Sequence, residues 1–219
     1  MAIGDRTALV IGASGLVGEH CLQELLGTAA YRAVAVIVRK PLNLNHPKLK
    51  QLQVNFDKLE DYKNDLKADD VYCCIGTTIK KAGSQEAFKK VDFDYPLQIA
   101  RFALWNGAQK FILVSSLGAD ASSTIFYSRI KGELEEALKE MKFNSLLIFR
   151  PSILLGDRKE KRPGEAVGQF VADKFSFLFA GPLKKYKGTP VDLLAKRMVE
   201  EAAKAGKGVR IYENEEILK

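Results

Sequence analysis

The sequence contains no apolar run of the roughly 18 residues that a membrane-spanning helix needs. Its N-terminus also lacks the basic-then-apolar layout of a secretory signal. A cytoplasmic location is the expectation. Cysteine is scarce: Cys21, Cys73 and Cys74 form no Cys-x-x-Cys spacing, and His20 and His46 are the only histidines beside them. So few ligands argue against a metal centre, and the adjacent pair in an apolar run reads as small buried residues. No internal repeat, low-complexity tract or linker divides the chain. Its 219 residues suffice for one well-buried core and are short for two, so a single domain over 1–219 is expected. The net charge of +7 is spread along the chain and gathers into no stripe. That pattern fits a solvated surface and points away from nucleic acid and from a membrane.

Glycine, by contrast, is placed with purpose. Ala8-Leu9-Val10-Ile11 is an apolar, β-branched run that breaks into Gly12, Gly15 and Gly18, and helically spaced Leu16, Val17, Leu22, Leu25 and Leu26 follow. Strand, tight turn and helix are predicted. In that arrangement Gly12 turns the chain, Gly15 lets the backbone approach a pyrophosphate, and Gly18 lets helix and strand pack closely. The phosphates of a dinucleotide would rest on the free N–H groups of the helix N-terminus, those of Leu16, Val17 and Gly18 among them, where the helix end is partly positive.

The chain then alternates strands with helices. Ala33 to Val38 is a fully apolar second strand, as expected when both faces of a parallel sheet are buried. It ends in Arg39-Lys40, 21 positions past Gly18, with no carboxylate to bind a ribose 2′-hydroxyl. A basic residue there suits a 2′-phosphate, so NADP is favoured over NAD, unless Arg39 merely opens a solvated turn. Gln53 to Asp57 reads as a short third strand, with Asp57 either beside the adenine or capping the helical stretch Leu59 to Leu66. Asp70 to Thr78 reads as a fourth strand that runs out into Gly76 and Thr77, small enough to let a cofactor ribose pass. Lys80 to Ser84 is expected to be a loop, and Phe88 to Trp105 a helix closed by Gly107.

Phe111 to Ser116 is a fifth strand ending in the hydroxyls of Ser115 and Ser116, and ligands of open parallel sheets bind beyond such ends. On the next predicted helix, Phe126 to Met141, Tyr127 and Lys131 stand four apart and share a face. A Tyr-x-x-x-Lys pair arises readily by chance; its position after the serine-ended strand and the glycine turn makes a Ser, Tyr and Lys set the better reading. Ser145 to Phe149 is a sixth strand, and Pro151 fixes the backbone just beyond it, where a nicotinamide would lie. Asp157 to Glu165 is a charged loop. Val167 to Leu178 is an amphipathic helix for core packing or pocket lining, so 152–190 is expected to form the substrate side. Val191 to Ala205 closes the chain as a surface helix, followed by a strand, Val209 to Tyr212.

Taken in order, Gly12-x-x-Gly15-x-x-Gly18, Ser115-Ser116, Tyr127-x-x-x-Lys131 and Arg150-Pro151 resemble the short-chain dehydrogenase/reductase superfamily. The stretches Cys73 to Thr78, Lys81-Ala82-Gly83, Val114 to Asp120, Lys131-Gly132-Glu133 and Arg162 to Glu165 resemble its atypical, Tat-interacting-protein-like oxidoreductase branch. The resemblance implies a Rossmann-type doubly wound parallel sheet, NADP(H) and a catalytic set of Ser116, Tyr127 and Lys131. It places the pyrophosphate on Gly12, Ser14, Gly15 and Gly18, the 2′-phosphate on Arg39, the adenine beside Asp57 and the nicotinamide ribose on Lys131. Ser116 is chosen over Ser115 by analogy. The implied reaction is hydride transfer between nicotinamide and a small carbonyl or alcohol. The branch also implies an alternative, an NADP(H)-binding regulatory or redox-sensing protein that works through a protein partner without turnover.

Overall fold

A computed structural model describes residues 4–156 and 186–219. Its centre is a seven-stranded sheet in the order β3-β2-β1-β4-β5-β6-β9, every neighbouring pair parallel. The strands are β1 (Arg6–Ile11), β2 (Tyr31–Val38), β3 (Leu49–Gln53), β4 (Asp70–Cys73), β5 (Lys110–Val114), β6 (Ser145–Arg150) and β9 (Gly208–Glu213). A separate two-stranded ribbon joins β7 (Leu154–Leu155) to β8 (Thr189–Pro190). The order reverses direction between β1 and β4, and the crevice outside that switch point is where open α/β sheets bind ligands.

Side-chain alternation divides the apolar strands between two cores. Ala8, Val10, Val34, Val36, Tyr72, Ile112 and Leu147 face one side, where α1 (Leu16–Gly27) and α6 (Val191–Lys204) cover them. Leu9, Ile11, Ile37, Val71, Phe111, Leu113 and Ile148 face the other, beneath α4 (Tyr95–Trp105) and α5 (Phe126–Glu140). Successive strand residues point to opposite faces, so a sheet covered on both sides needs continuous apolar runs. That is the pattern of β2 and β5. α6 buries Val191, Leu194, Ala195, Met198, Val199 and Ala202, so the expected surface helix contributes one whole face to the core.

Several predicted boundaries are corrected. The third strand lies at Leu49–Gln53, before the predicted Gln53 to Asp57, and residues Phe56–Tyr62 form a 3₁₀ turn. β3 is an edge strand of mostly polar, exposed residues, whereas Val54 and Phe56 are buried beyond its end. The fourth strand stops at Cys73, and residues 74–78 leave the sheet. The expected loop Lys80 to Ser84 opens with a helical turn, α2 (Ile79–Ala82), in which Thr78 accepts the Lys81 N–H and Gly83 closes in the left-handed region at φ 87°. The helix predicted from Phe88 to Trp105 begins earlier, as α3 (Gln85–Lys89), and passes through a π turn, Lys90–Asp94, into α4. The charged loop 157–165 and the amphipathic helix 167–178 lie outside the described residues.

Candidate functional site

Six strand ends deliver the predicted residues to one edge of the sheet. Gly12 to Gly18 follow β1, Arg39 follows β2, Asp57 follows β3, Gly76 and Thr77 follow β4, Ser116 follows β5, and Pro151 follows β6. At the switch point Cys74 N–H donates to the Ile11 carbonyl at 2.9 Å. Gly12, at φ 83°, turns so close to that pairing that a Cβ would lie 2.8 Å from the Cys74 and Ile75 backbone. Gly15 N–H bonds Gly12 O at 2.9 Å, and a Cβ on Gly18 would sit 2.1 Å from the same oxygen. Glycine is therefore required at 12 and 18 for the helix to start against the strand. Gly15, the N-cap of α1, offers no side chain to the N–H groups of the first turn, which point outward as an anion cradle.

Arg39 is exposed, and among the described residues its guanidinium forms no ion pair. Asp57 does not cap the turn that follows it, because Asn55 Oδ1 accepts the Asp57 N–H at 3.0 Å. Its carboxylate instead meets Lys90 Nζ at 2.7 Å and accepts a hydrogen bond from the Tyr95 hydroxyl. The Lys90 and Tyr95 hydrogen bonds hold its carboxyl below the usual carboxylate range.

The two serines are not equivalent. Ser115 is buried and its hydroxyl donates to Glu135, whereas Ser116 is only partly buried and its hydroxyl has just a long contact, 3.3 Å, to the Leu117 carbonyl. Geometry therefore leaves Ser116 the available hydroxyl. α5 reaches this strand end through Gly132, where a Cβ would lie 2.1 Å from Ala121 N and 2.3 Å from Asp120 C. Phe88 anchors the start of α5, with its ring centroid 5.8 Å from that of Phe126 and 5.5 Å from that of Tyr127. Tyr127 is partly exposed, and among the described residues its hydroxyl makes no hydrogen bond. One turn further, Lys131 is 5% exposed, and its Nζ lies 3.6 Å from where a Gly76 Cβ would stand. The lysine thus rests against the turn after β4, beside the switch point.

Two buried carboxylates escaped the sequence reading. Asp92, in the π turn, pairs with Lys131 at 2.8 Å and accepts the Thr77 N–H at 2.8 Å. Glu135 is fully buried, accepts from Ser115, and takes both Nε (3.1 Å) and Nη2 (2.6 Å) of Arg150, whose Nη1 reaches Glu213 at 2.8 Å. This chain ties β5, α5, β6 and β9 together behind Ser116. Removing the Glu135 carboxylate strands the Ser115 hydroxyl and leaves Arg150 with Glu213 alone, so Glu135→Ala is expected to cost about 1–3 kcal/mol in a urea unfolding curve. The Cys73 thiol borders this polar set, close enough to feel the charges of Lys131 and Asp92. Burial pushes the Cys73 thiol up to about 12, and the Cys74 thiol is held protonated by its hydrogen bond to Cys21 and by burial.

Sheet order, glycine turn and strand-end loops define a Rossmann-type doubly wound α/β fold. The fold superposes with a TM-score of 0.70 on the Bordetella bronchiseptica enzyme WbmH in complex with NAD+, at 16% identity over 95% of this chain and 75% of that one. It matches the ADP-L-glycero-D-manno-heptose-6-epimerase of Helicobacter pylori at 0.71, with 18% identity over 96% and 77% of the two chains. The HIM1 family pattern matches residues 44–179, and the chain belongs to that family. It is 36% identical to Protein HTATIP2 of Rattus norvegicus over 98% of this chain and 88% of the relative. It is 35% identical to Protein FMP52, mitochondrial, of Candida albicans over 76% of each.

Proposed function

We propose that the chain is an NADP-dependent oxidoreductase that moves a hydride between nicotinamide and a small carbonyl or alcohol. The observation that carries this is the buried Lys131 ammonium set against the Gly76 turn, one helical turn from a Tyr127 hydroxyl with no hydrogen-bond partner among the described residues. The glycine cradle supports a dinucleotide: among the described residues no side chain caps the first-turn N–H groups of α1. The exposed Arg39 at the end of β2, which forms no ion pair among the described residues, supports a 2′-phosphate. Asp57 borders the adenine side, Thr77 and Pro151 the ribose and nicotinamide side, and residues 152–190 complete the substrate side.

When bound, the nicotinamide supplies or accepts the hydride. Tyr127 donates a proton to the carbonyl oxygen on reduction, or accepts it on oxidation. A free phenol titrates near 10, so a cation beside it is needed to ease that transfer at neutral pH, and Lys131 is that cation. Ser116 donates a hydrogen bond to the same oxygen as negative charge develops on it. The test is turnover of NADPH with a panel of aldehydes and ketones. A saturable substrate supports the enzyme reading. Tight cofactor binding with no turnover of any carbonyl or alcohol would favour a regulatory protein that reads its cofactor through a partner surface. We keep the cytoplasm as the compartment for this activity, although several fungal relatives are named mitochondrial.

A further inference from the structure

We infer that the crevice at Ser116 and Tyr127 takes a neutral aliphatic substrate, an aldehyde, ketone or alcohol whose chain lies across Ile79, Ile125 and Ile153. The inference rests on reading this edge of the sheet as the substrate side. It narrows the small carbonyl or alcohol to one with an apolar chain in place of a sugar or other polyhydroxyl group.

Large apolar side chains at a surface are ordinary when they stand singly and informative when they gather at one site. Among the described residues the exposed ones are Ile79, Trp105, Ile125, Ile153, Tyr186 and Val209. Trp105, at the end of α4, and Val209, at the start of β9, lie toward the amino edge of the sheet. The other four lie at the carboxyl edge. Ile79 opens α2 just past Thr77, and Ile125 is the N-cap of α5, two residues before Tyr127. Ile153 follows Pro151, and between them the Ser152 hydroxyl donates to the Tyr186 carbonyl at 3.2 Å. The three isoleucines arrive on the loops after β4, β5 and β6, which are neighbours in the sheet. Those loops are tied together: Leu117 N–H bonds Pro151 O at 2.8 Å, and Thr189 N–H bonds Ile153 O at 2.8 Å. Neighbouring strands stand about 4.8 Å apart, so three strand ends span about 10 Å, roughly the reach of an extended eight-carbon chain.

The polar groups beside these isoleucines are already engaged. Thr78 Oγ1 accepts the Lys81 N–H at 3.2 Å, and Ser123 Oγ accepts the Ile125 N–H at 3.1 Å. Ser152 N–H is shared by Thr189 and Asn214, while its hydroxyl goes to Tyr186. A polyhydroxyl substrate needs a matching set of available donors and acceptors, and a site that does not supply them leaves its hydroxyls unpaired on burial. An aliphatic chain asks for none. Isoleucine is stiff at χ1 and makes no side-chain hydrogen bond, so each of the three presents a fixed apolar surface. Ser116 and Tyr127 then serve the reacting oxygen alone, giving the usual make-up of a small-molecule pocket, apolar walls with a few convergent polar groups.

The test is NMR of the full chain carrying isoleucine labelled at the δ1 methyl, titrated with the primary alcohols butanol and octanol in the presence of NADPH, with which an alcohol does not react. Substitution by valine identifies each signal. Octanol is expected to move the Ile79, Ile125 and Ile153 signals and to leave those of the buried Ile37 and Ile99 in place. Its affinity should exceed that of butanol by at least about tenfold, because it carries four more methylenes to bury. Ile125→Ser and Ile153→Ser change exposed positions and should fold; each should weaken octanol binding by about three- to tenfold, whereas Trp105→Ser should leave it unchanged. Absence of octanol binding, or equal affinity for the two alcohols, would overturn the proposal. So would octanol binding that moves none of the three isoleucine signals, or that survives both serine substitutions unchanged. The two readings fail separately. Turnover of aldehydes with no preference for longer chains would keep the oxidoreductase and remove the aliphatic pocket, and octanol seated on the isoleucines with no carbonyl turned over would do the reverse.

Discussion

Tyr127→Phe is expected to lower carbonyl turnover by about 10²–10⁴-fold while changing NADPH affinity by less than about twofold. The substitution removes one hydroxyl and keeps the ring that packs 5.5 Å from Phe88, so the start of α5 should stay in place. Among the described residues that hydroxyl has no hydrogen-bond partner to leave stranded. Only the proton transfer is removed, and an interaction made in the transition state alone appears in kcat with little change in KM. A variant that kept wild-type turnover would take Tyr127 out of the chemistry. One that lost NADPH binding in proportion to turnover would make it a structural residue.

Gly18→Ala is expected to damage the fold and the glycine turn together. The new Cβ would lie 2.1 Å from Gly12 O, 2.6 Å from Gly12 C and 3.0 Å from Ala13 Cα, all backbone atoms that cannot rotate aside. Relief requires α1 to move away from the turn after β1, which loosens the Leu22 and Leu25 side chains from the core and spoils the N–H cradle together. We expect a loss of about 2–3 kcal/mol in stability, in the range of overpacked cores. NADPH affinity should weaken at least tenfold, or about 1.4 kcal/mol. Gly27→Ala is the control. It lies at the end of the same helix, and among the described residues nothing beyond its own stretch of chain comes within 4 Å of the added Cβ, so it should be neutral or stabilise by up to about 1 kcal/mol.

The elements that were legible are those in which local pattern and tertiary role coincide. β2 and β5 are buried on both faces and so carry uninterrupted apolar runs, and the β1 turn announces itself through glycines that the close approach of α1 demands. β3 was misplaced because an edge strand has little to bury: its Lys50, Gln51 and Gln53 are exposed, while the apolar signal belongs to Val54 and Phe56 beyond it. The Tyr127 and Lys131 spacing was visible on one helix. Their counterparts were not. Asp92 sits between Val91 and Phe93 in a helical stretch, and only the π turn, which has no clear sequence signature, rotates it inward. Glu135 stands beside Glu133 and Glu136 and looks like part of a solvated acidic face, until Ser115 and Arg150 arrive from β5 and β6. Partners distant in sequence decide which of several like charges is buried, and a single sequence does not pair them.

The most direct test of the account is calorimetric titration of the purified chain with NADPH and with NADH, for the wild type and for Arg39→Ala. The account predicts micromolar NADPH binding, NADH at least tenfold weaker, and loss of most of that preference in the variant, since one charge-assisted contact to a 2′-phosphate contributes about 1.5–3 kcal/mol. Failure of either nucleotide to bind below the millimolar range would contradict it, and the turn at Gly12 to Gly18 would then be a packing feature of the fold with no cofactor to hold.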